Sequence, residues 1–167
     1  MNNNPAFHVN LDVEVDPMAK RCLEICEESK AADILMYDVR DNTILADYFI
    51  VCSGTSMPHI RAIADHIRKA MLQDGIRQRG SDGVPGNQWL VLDYGIMLIH
   101  IMAPELRHYY CLEDLWDKRK IIYRGGAPLP PPRPGVNLPT PPHQLKEFLM
   151  DMEGDEEADN ATEEDNA

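Results

Sequence analysis

At 167 residues the chain is long enough for one hydrophobic core and short for two ordinary domains. Its formal net charge of −12 sits mostly in the tail: residues 147–167 hold ten of the 28 acids and no Lys or Arg, leaving 18 acids against 16 bases in residues 1–146. A near-neutral body with an acidic tail is a poor match for naked nucleic acid and a better one for a basic protein, and no apolar run reaches the ~18 residues of a membrane span.

Residues 1–16 read as a loose acidic arm, aperiodic and without the Arg or Lys of a signal or transit peptide. Asp16-Pro17 is a helix start, with Asp as N-cap and Pro at the first helical position. Ala19, Cys22, Leu23 and Cys26 then fall at helical spacing, which predicts a helix over residues 17–31. Residues 33–39 read as a first strand and 47–53 as a second, apolar on both faces and therefore central. Gly54-Thr55-Ser56 leaves that strand for a helix capped by Ser56, with Ile60, Ile63, Ala64, Ile67 and Met71 as its buried stripe and Gly75 at its end. Residues 76–79 are a short strand candidate, and 80–87 a flexible loop.

The most apolar stretch, residues 88–102, reads as two strands about a tight turn at Tyr94-Gly95. A two-residue turn sets Asp93 opposite Ile96 and Trp89 opposite His100. One face then carries Trp89, Val91, Asp93, Ile96, Leu98 and His100 and suits a partner; the other, Leu90, Leu92, Met97, Ile99 and Ile101, belongs in a core. A three-residue loop with only Gly95 left-handed suits Tyr94 better but scatters the polar groups over both faces. Pro104 begins a further helix, on which Leu106, Tyr109, Tyr110, Leu112, Leu115 and Trp116 offer an apolar surface that is interrupted near Cys111. The order α-β-β-α-β-β-β-α indicates an α/β (α+β) domain over residues 17–124 with a mixed sheet of about five strands and flanking helices.

Residues 125–143 hold eight of the 13 prolines and read as an extended polyproline-II linker. Residues 144–167 form an acidic, largely disordered tail in which Leu145, Phe148, Leu149 and Met152 can make a short amphipathic helix.

Chemistry-bearing patterns are sparse. Ser53-Gly54-Thr55-Ser56 joins a strand to a helix N-terminus, where free N–H groups can hold a phosphate. It lacks the Gly-Lys-Ser/Thr ending of a P-loop. Nucleotidyltransferases use a similar turn with metal-holding acids further on, but no Asp-x-Asp or Asp-x-Glu pair follows here. No His pair has zinc spacing, and no Cys-His motif surrounds Cys111. The four cysteines read as free thiols in a reducing cytoplasm. No catalytic, cofactor or metal residues are therefore expected. Lys118, Arg119 and Lys120 can touch phosphates or simply face water.

Asp47-Tyr48-Phe49-Ile50-Val51-Cys52-Ser53-Gly54-Thr55-Ser56, Trp89-Leu90-Val91-Leu92-Asp93-Tyr94-Gly95, His100-Ile101 and residues 105–116 resemble, in order and spacing, the ribosomal silencing factor (RsfS/Iojap) family over about residues 18–123. One departure is Ile96, where the family usually carries Asp. The resemblance implies a nucleotidyltransferase-like fold without transferase activity, and a homodimer when free. It implies binding to the fourteenth large-subunit ribosomal protein, obstructing small-subunit joining and repressing translation when nutrients are scarce. On that reading the contact residues are Trp89, Asp93, Tyr94, Ile96, His100, Glu105 and Glu113. Trp89 is either the aromatic anchor or a core residue; the three acids meet Lys and Arg of the partner, and Lys118, Arg119 and Lys120 touch rRNA.

Overall fold

The computed structural model describes residues 14–84, 86 and 88–143. Asp16 caps helix α1 (Pro17–Glu28), its carboxylate accepting the Met18 N–H at 2.8 Å. Pro17 sits where a missing N–H costs nothing. Ala19, Cys22, Leu23 and Cys26 are buried as their spacing requires, but the helix stops short of the predicted residue 31, and Lys30 turns into the left-handed region (φ +59°). Strand β1 (Ala32–Asp38) and strand β2 (Tyr48–Ser53) follow, the latter buried at every position. Helix α2 (Met57–Gln73) starts at Ser56, whose hydroxyl accepts the His59 N–H at 3.2 Å, and all five residues of its expected stripe are buried.

Strand β3 (Gly80–Gly83) lies one step later than the candidate at residues 76–79, in the stretch that reads as a loop. Its Gly-Ser-Asp-Gly sequence has no strand propensity; pairing with the next strand holds it in the sheet. Strands β4 (Trp89–Asp93) and β5 (Met97–Met102) form the hairpin. Helix α3 (Pro104–Tyr110) ends as Cys111 takes φ +48°, so the expected single helix becomes α3 plus a 3-10 turn over Leu112–Leu115. A second 3-10 turn (Lys118–Lys120) leads into strand β6 (Ile121–Gly125), a sixth strand beyond the five expected.

The sheet order is β3-β4-β5-β2-β1-β6. Its central pair β2–β5 is parallel and its other pairs are antiparallel, which makes this a mixed-sheet α+β fold. Both central strands are buried throughout, as a sheet covered on two sides requires. Cys26 of α1 reaches Cys52 on one face. On the other, α3 and the turn behind it bring Arg107 to Ser53 and Trp116 to Phe49.

The hairpin turns one residue later than expected. Tyr94 donates to the Met97 carbonyl at 3.0 Å, so the central pair is Gly95-Ile96, and Gly95 alone takes a left-handed φ of +82°. Trp89 therefore faces Met102, Val91 faces His100 and Asp93 faces Leu98. This moves the register by two residues, and because side chains alternate with period two the division into faces survives. The reading of those faces does not: Trp89, Val91, Leu98 and His100 are as buried as the opposite face, with Tyr110 of α3 over Trp89 and Phe49 against His100.

Residues 126–142 hold no regular secondary structure beyond a bridge at Ala127, yet they are hydrogen-bonded to the domain. The arm up to residue 13 and the tail from 144, with its candidate amphipathic helix, lie outside the described residues.

Candidate functional site

The glycine turn between β2 and α2 is closed by the protein's own groups. Thr55 N–H donates to His59 Nδ1 at 3.0 Å, His59 Nε2 donates to the Ser29 carbonyl at 2.8 Å, and Ser56 is occupied as the cap. Ser53 Oγ accepts from the Arg107 guanidinium at 3.0 Å. A Cβ on Gly54 would lie 2.7 Å from Ile60 Cγ1 and 2.8 Å from its backbone nitrogen, so glycine here serves close packing of strand on helix. The space left, lined by Thr55, Met57, Pro104 and Arg133 among others, is a cavity of about 10 Å³, scarcely room for one water. A nucleotide does not fit. Among the described residues no three His, Cys, Asp or Glu side chains converge as a metal site.

Trp89 and His100 form a buried pair. Each is fully buried, and the indole Nε1–H donates to His100 Nδ1 at 2.8 Å, which places the imidazole proton on Nε2. Phe49 stacks on the ring at 4.8 Å between centroids, and Tyr110 of α3 closes over Trp89 at 5.2 Å. Burial pushes the His100 pKa down to about 3, so the ring is neutral at any physiological pH.

Arg107 anchors α3 to the sheet. Its side chain is 1% exposed and reaches Asp33, Glu113 and Ser53, with the Asp33 carboxylate at 3.0 Å and the Asp33 carbonyl at 2.8 Å. The sequence flags this residue only as one letter of a resemblance; an arginine on the inward side of a short helix, between an acid of β1 and an acid of the 3-10 turn that follows, has no motif to announce it.

The seven expected contact residues do not converge. Asp93, Tyr94 and Ile96 lie at the hairpin tip, where Asp93 accepts the Gly95 N–H at 2.8 Å and the Ile96 carbonyl accepts from Asp47 and Tyr48. Trp89 and His100 are internal, which is the core alternative for Trp89. Glu105 and Glu113 sit by α3, at the far end of β5, about 20 Å from the tip at roughly 3.3 Å per residue. Glu113 is held by Arg107, and Glu105, 4% exposed, by Arg133. Burial pushes the Glu105 carboxyl up, but the Arg133 guanidinium together with the backbone N–H groups of Glu105 and Arg133 outweighs it and holds the pKa below the usual range. Of the basic trio, Arg119 pairs with Asp117 and Lys120 with Asp41. Apolar surface the sequence gives no sign of includes Ile44, 93% exposed; Tyr109, one of the residues expected on the helix after Pro104, is 64% exposed on α3. All four cysteines are free thiols; Cys26, in contact with Cys22 and Cys52 and fully buried, is raised well above its usual pKa. No helix among the described residues is long and apolar enough to cross a membrane.

A family model described as "Ribosomal silencing factor during starvation" matches residues 12–165, extending on both sides beyond the region of resemblance. The "Ribosomal silencing factor RsfS" of Chromobacterium violaceum is 30% identical over 118 residues, 71% of this chain and 97% of that protein. The protein of the same name from Bacillus subtilis is 34% identical over 104 residues, 62% of this chain and 81% of its own length. A crystal structure of a Chromobacterium violaceum protein superposes with a TM-score of 0.59 at 29% identity, covering 75% of this chain and 95% of that one.

Proposed function

The chain belongs to the RsfS family of ribosomal silencing factors, and from that premise we propose that it binds the large ribosomal subunit through the fourteenth large-subunit protein. By occupying that surface it blocks joining of the small subunit and represses translation under nutrient limitation, in the cytoplasm and as a homodimer when free. The observation that carries a surface-acting role is the closed glycine turn: the strand-to-helix turn at Ser53–Ser56 is filled by Thr55, His59 and Arg107 and leaves a cavity of about 10 Å³. A factor of this kind needs no chemistry, only a face that overlaps an intersubunit contact.

The contact face is best sought on two separate regions. One is the flank of α3 with Glu105 and exposed Tyr109; the other is the hairpin tip with Asp93, Tyr94 and Ile96. Acids there suit a basic ribosomal protein, contributing encounter rate and register. Lys118, Arg119 and Lys120 lie on a 3-10 turn beyond α3 and are the candidates for a neighbouring rRNA phosphate. Trp89 and His100 support α3 from beneath and act through its position. Pelleting with purified large subunits tests this reading: the chain is expected in the pellet at about one copy per subunit, and a chain that stays in the supernatant contradicts it. In calorimetry, ATP with magnesium is expected to give no binding heat.

A further inference from the structure

Residues 126–139 lie across α3 as a strap. Gly126, at φ +79°, redirects the chain out of β6, where a side chain would come within 2.5 Å of the Ala31 carbonyl. The Ala127 carbonyl then accepts the Asp33 N–H at 2.8 Å. His108 Nε2 donates to the Pro130 carbonyl at 2.9 Å, Arg133 pairs with Glu105, and the Tyr110 hydroxyl donates to the Pro139 carbonyl.

The two sides of this contact are unequal. Glu105 belongs to the domain and its side chain is 4% exposed, whereas Arg133 is 66% exposed on a segment with no secondary structure of its own. The strap supplies part of the cover over Glu105, so an occupant that takes its place must bring its own positive group there or leave the carboxylate covered and unpaired, which is costly. Glu105 Oε2 is buried without a hydrogen-bond partner, which leaves an acceptor for a second guanidinium N–H. Around it, His108 and Tyr110 offer donors to backbone carbonyls and Tyr109 offers an aromatic face, the chemistry by which extended proline-rich segments are recognised. The strap shows what such an occupant looks like: extended, proline-rich and carrying one arginine.

We propose that the outer face of α3, centred on Glu105 with His108, Tyr109 and Tyr110, is a docking surface for an extended, arginine-bearing segment of a basic protein, and that Arg133 of the strap holds that place in the free chain. The proposal rests on the ribosomal reading above and names its partner chemistry: an arginine of the ribosomal protein replaces Arg133 at Glu105. Strap and partner then compete. The apparent dissociation constant is the intrinsic one divided by the fraction of chains with the strap open.

The test uses full-length chains carrying Arg133→Ala, Arg133→Glu or Glu105→Gln, titrated with purified large subunits, alongside hydrogen exchange at the Asp33 amide that the strap protects. Both Arg133 variants are expected to lose protection at Asp33 and to bind subunits about threefold tighter or better, while Glu105→Gln binds more weakly than either and is not restored by Arg133→Ala. In the wild-type chain, subunit binding is expected to abolish the Asp33 protection. Unchanged or weaker binding by a strap-released variant overturns the proposal, as does wild-type binding with Asp33 still protected. If no chain, wild type included, binds large subunits, the ribosomal reading fails and the proposal falls with it, an outcome distinct from the other two.

Discussion

Lowering the pH should destabilise this fold through one histidine. His100 is fully buried, its Nδ1 accepts the Trp89 indole N–H, and its pKa stands at about 3 against 6.5 for an unperturbed ring. Protonating Nδ1 would set two N–H donors against each other inside the core, so the native state keeps the ring neutral. In the unfolded chain the ring is free to charge. Below pH 6.5 the unfolded state therefore binds the extra proton, and stability is lost as pH falls toward 3. Linkage gives a slope approaching 1.4 kcal/mol per pH unit and a loss of about 2 kcal/mol between pH 7.5 and 5 from this group alone. Urea unfolding at half-unit steps across that window reads it directly. The control is His100→Asn, whose side-chain oxygen can still accept from Trp89 but cannot titrate. Its absolute stability will be lower, for want of the Phe49 stack, but its loss of stability between pH 7.5 and 5 should be smaller than the wild type's by that ~2 kcal/mol. Parallel slopes in the two proteins would refute the reasoning, whatever their absolute stabilities.

Three other substitutions follow from the packing. Trp89→Ala removes a fully buried indole and orphans His100, and should cost about 3–5 kcal/mol in urea unfolding; a fully stable variant that merely fails to pellet with large subunits would instead make Trp89 an interface residue. Arg107→Ala leaves Asp33, Glu113 and Ser53 facing an empty space. Since both carboxylates keep about a quarter of their side-chain surface exposed, the loss should fall near the low end of the range for a broken buried pair, about 3 kcal/mol. Gly54→Ala drives a methyl group into the backbone of Ile60 at 2.8 Å and should lower the melting temperature through a loss of about 1–3 kcal/mol; an unchanged Tm would show that the turn has slack the geometry denies.

Elements whose causes are local were legible in the sequence. Asp16-Pro17 and Ser56 mark their helix starts because a cap is a contact within three residues, and the α2 stripe follows from helical periodicity alone. Strand β2 was equally plain, since burial on both faces demands a continuous apolar run; β5 was legible as a strand but not as one buried on both faces. Strands β3 and β6 were not, because Gly-Ser-Asp-Gly becomes a strand only when β4 lies beside it and residues 121–125 only when β1 does. The hairpin shows how a small error can be harmless or costly. Placing the turn at Tyr94-Gly95 instead of Gly95-Ile96 left every side chain on its correct face, yet the partner face was misread. Trp89 is closed over by Tyr110 of α3 and His100 is stacked on by Phe49 of β2, and no periodicity within residues 88–102 reports either neighbour. The strap was hidden for a similar reason: its prolines announce an extended chain, but only the Glu105–Arg133 pair, 28 residues apart, shows where it lies.

On the proposed function, this chain silences by covering a surface. Light scattering of purified small and large subunits, mixed with and without a stoichiometric amount of the chain, measures this directly. The account predicts that association falls in proportion to the large subunits occupied and recovers when the chain is competed away. Full association of subunits that demonstrably carry the chain would contradict it.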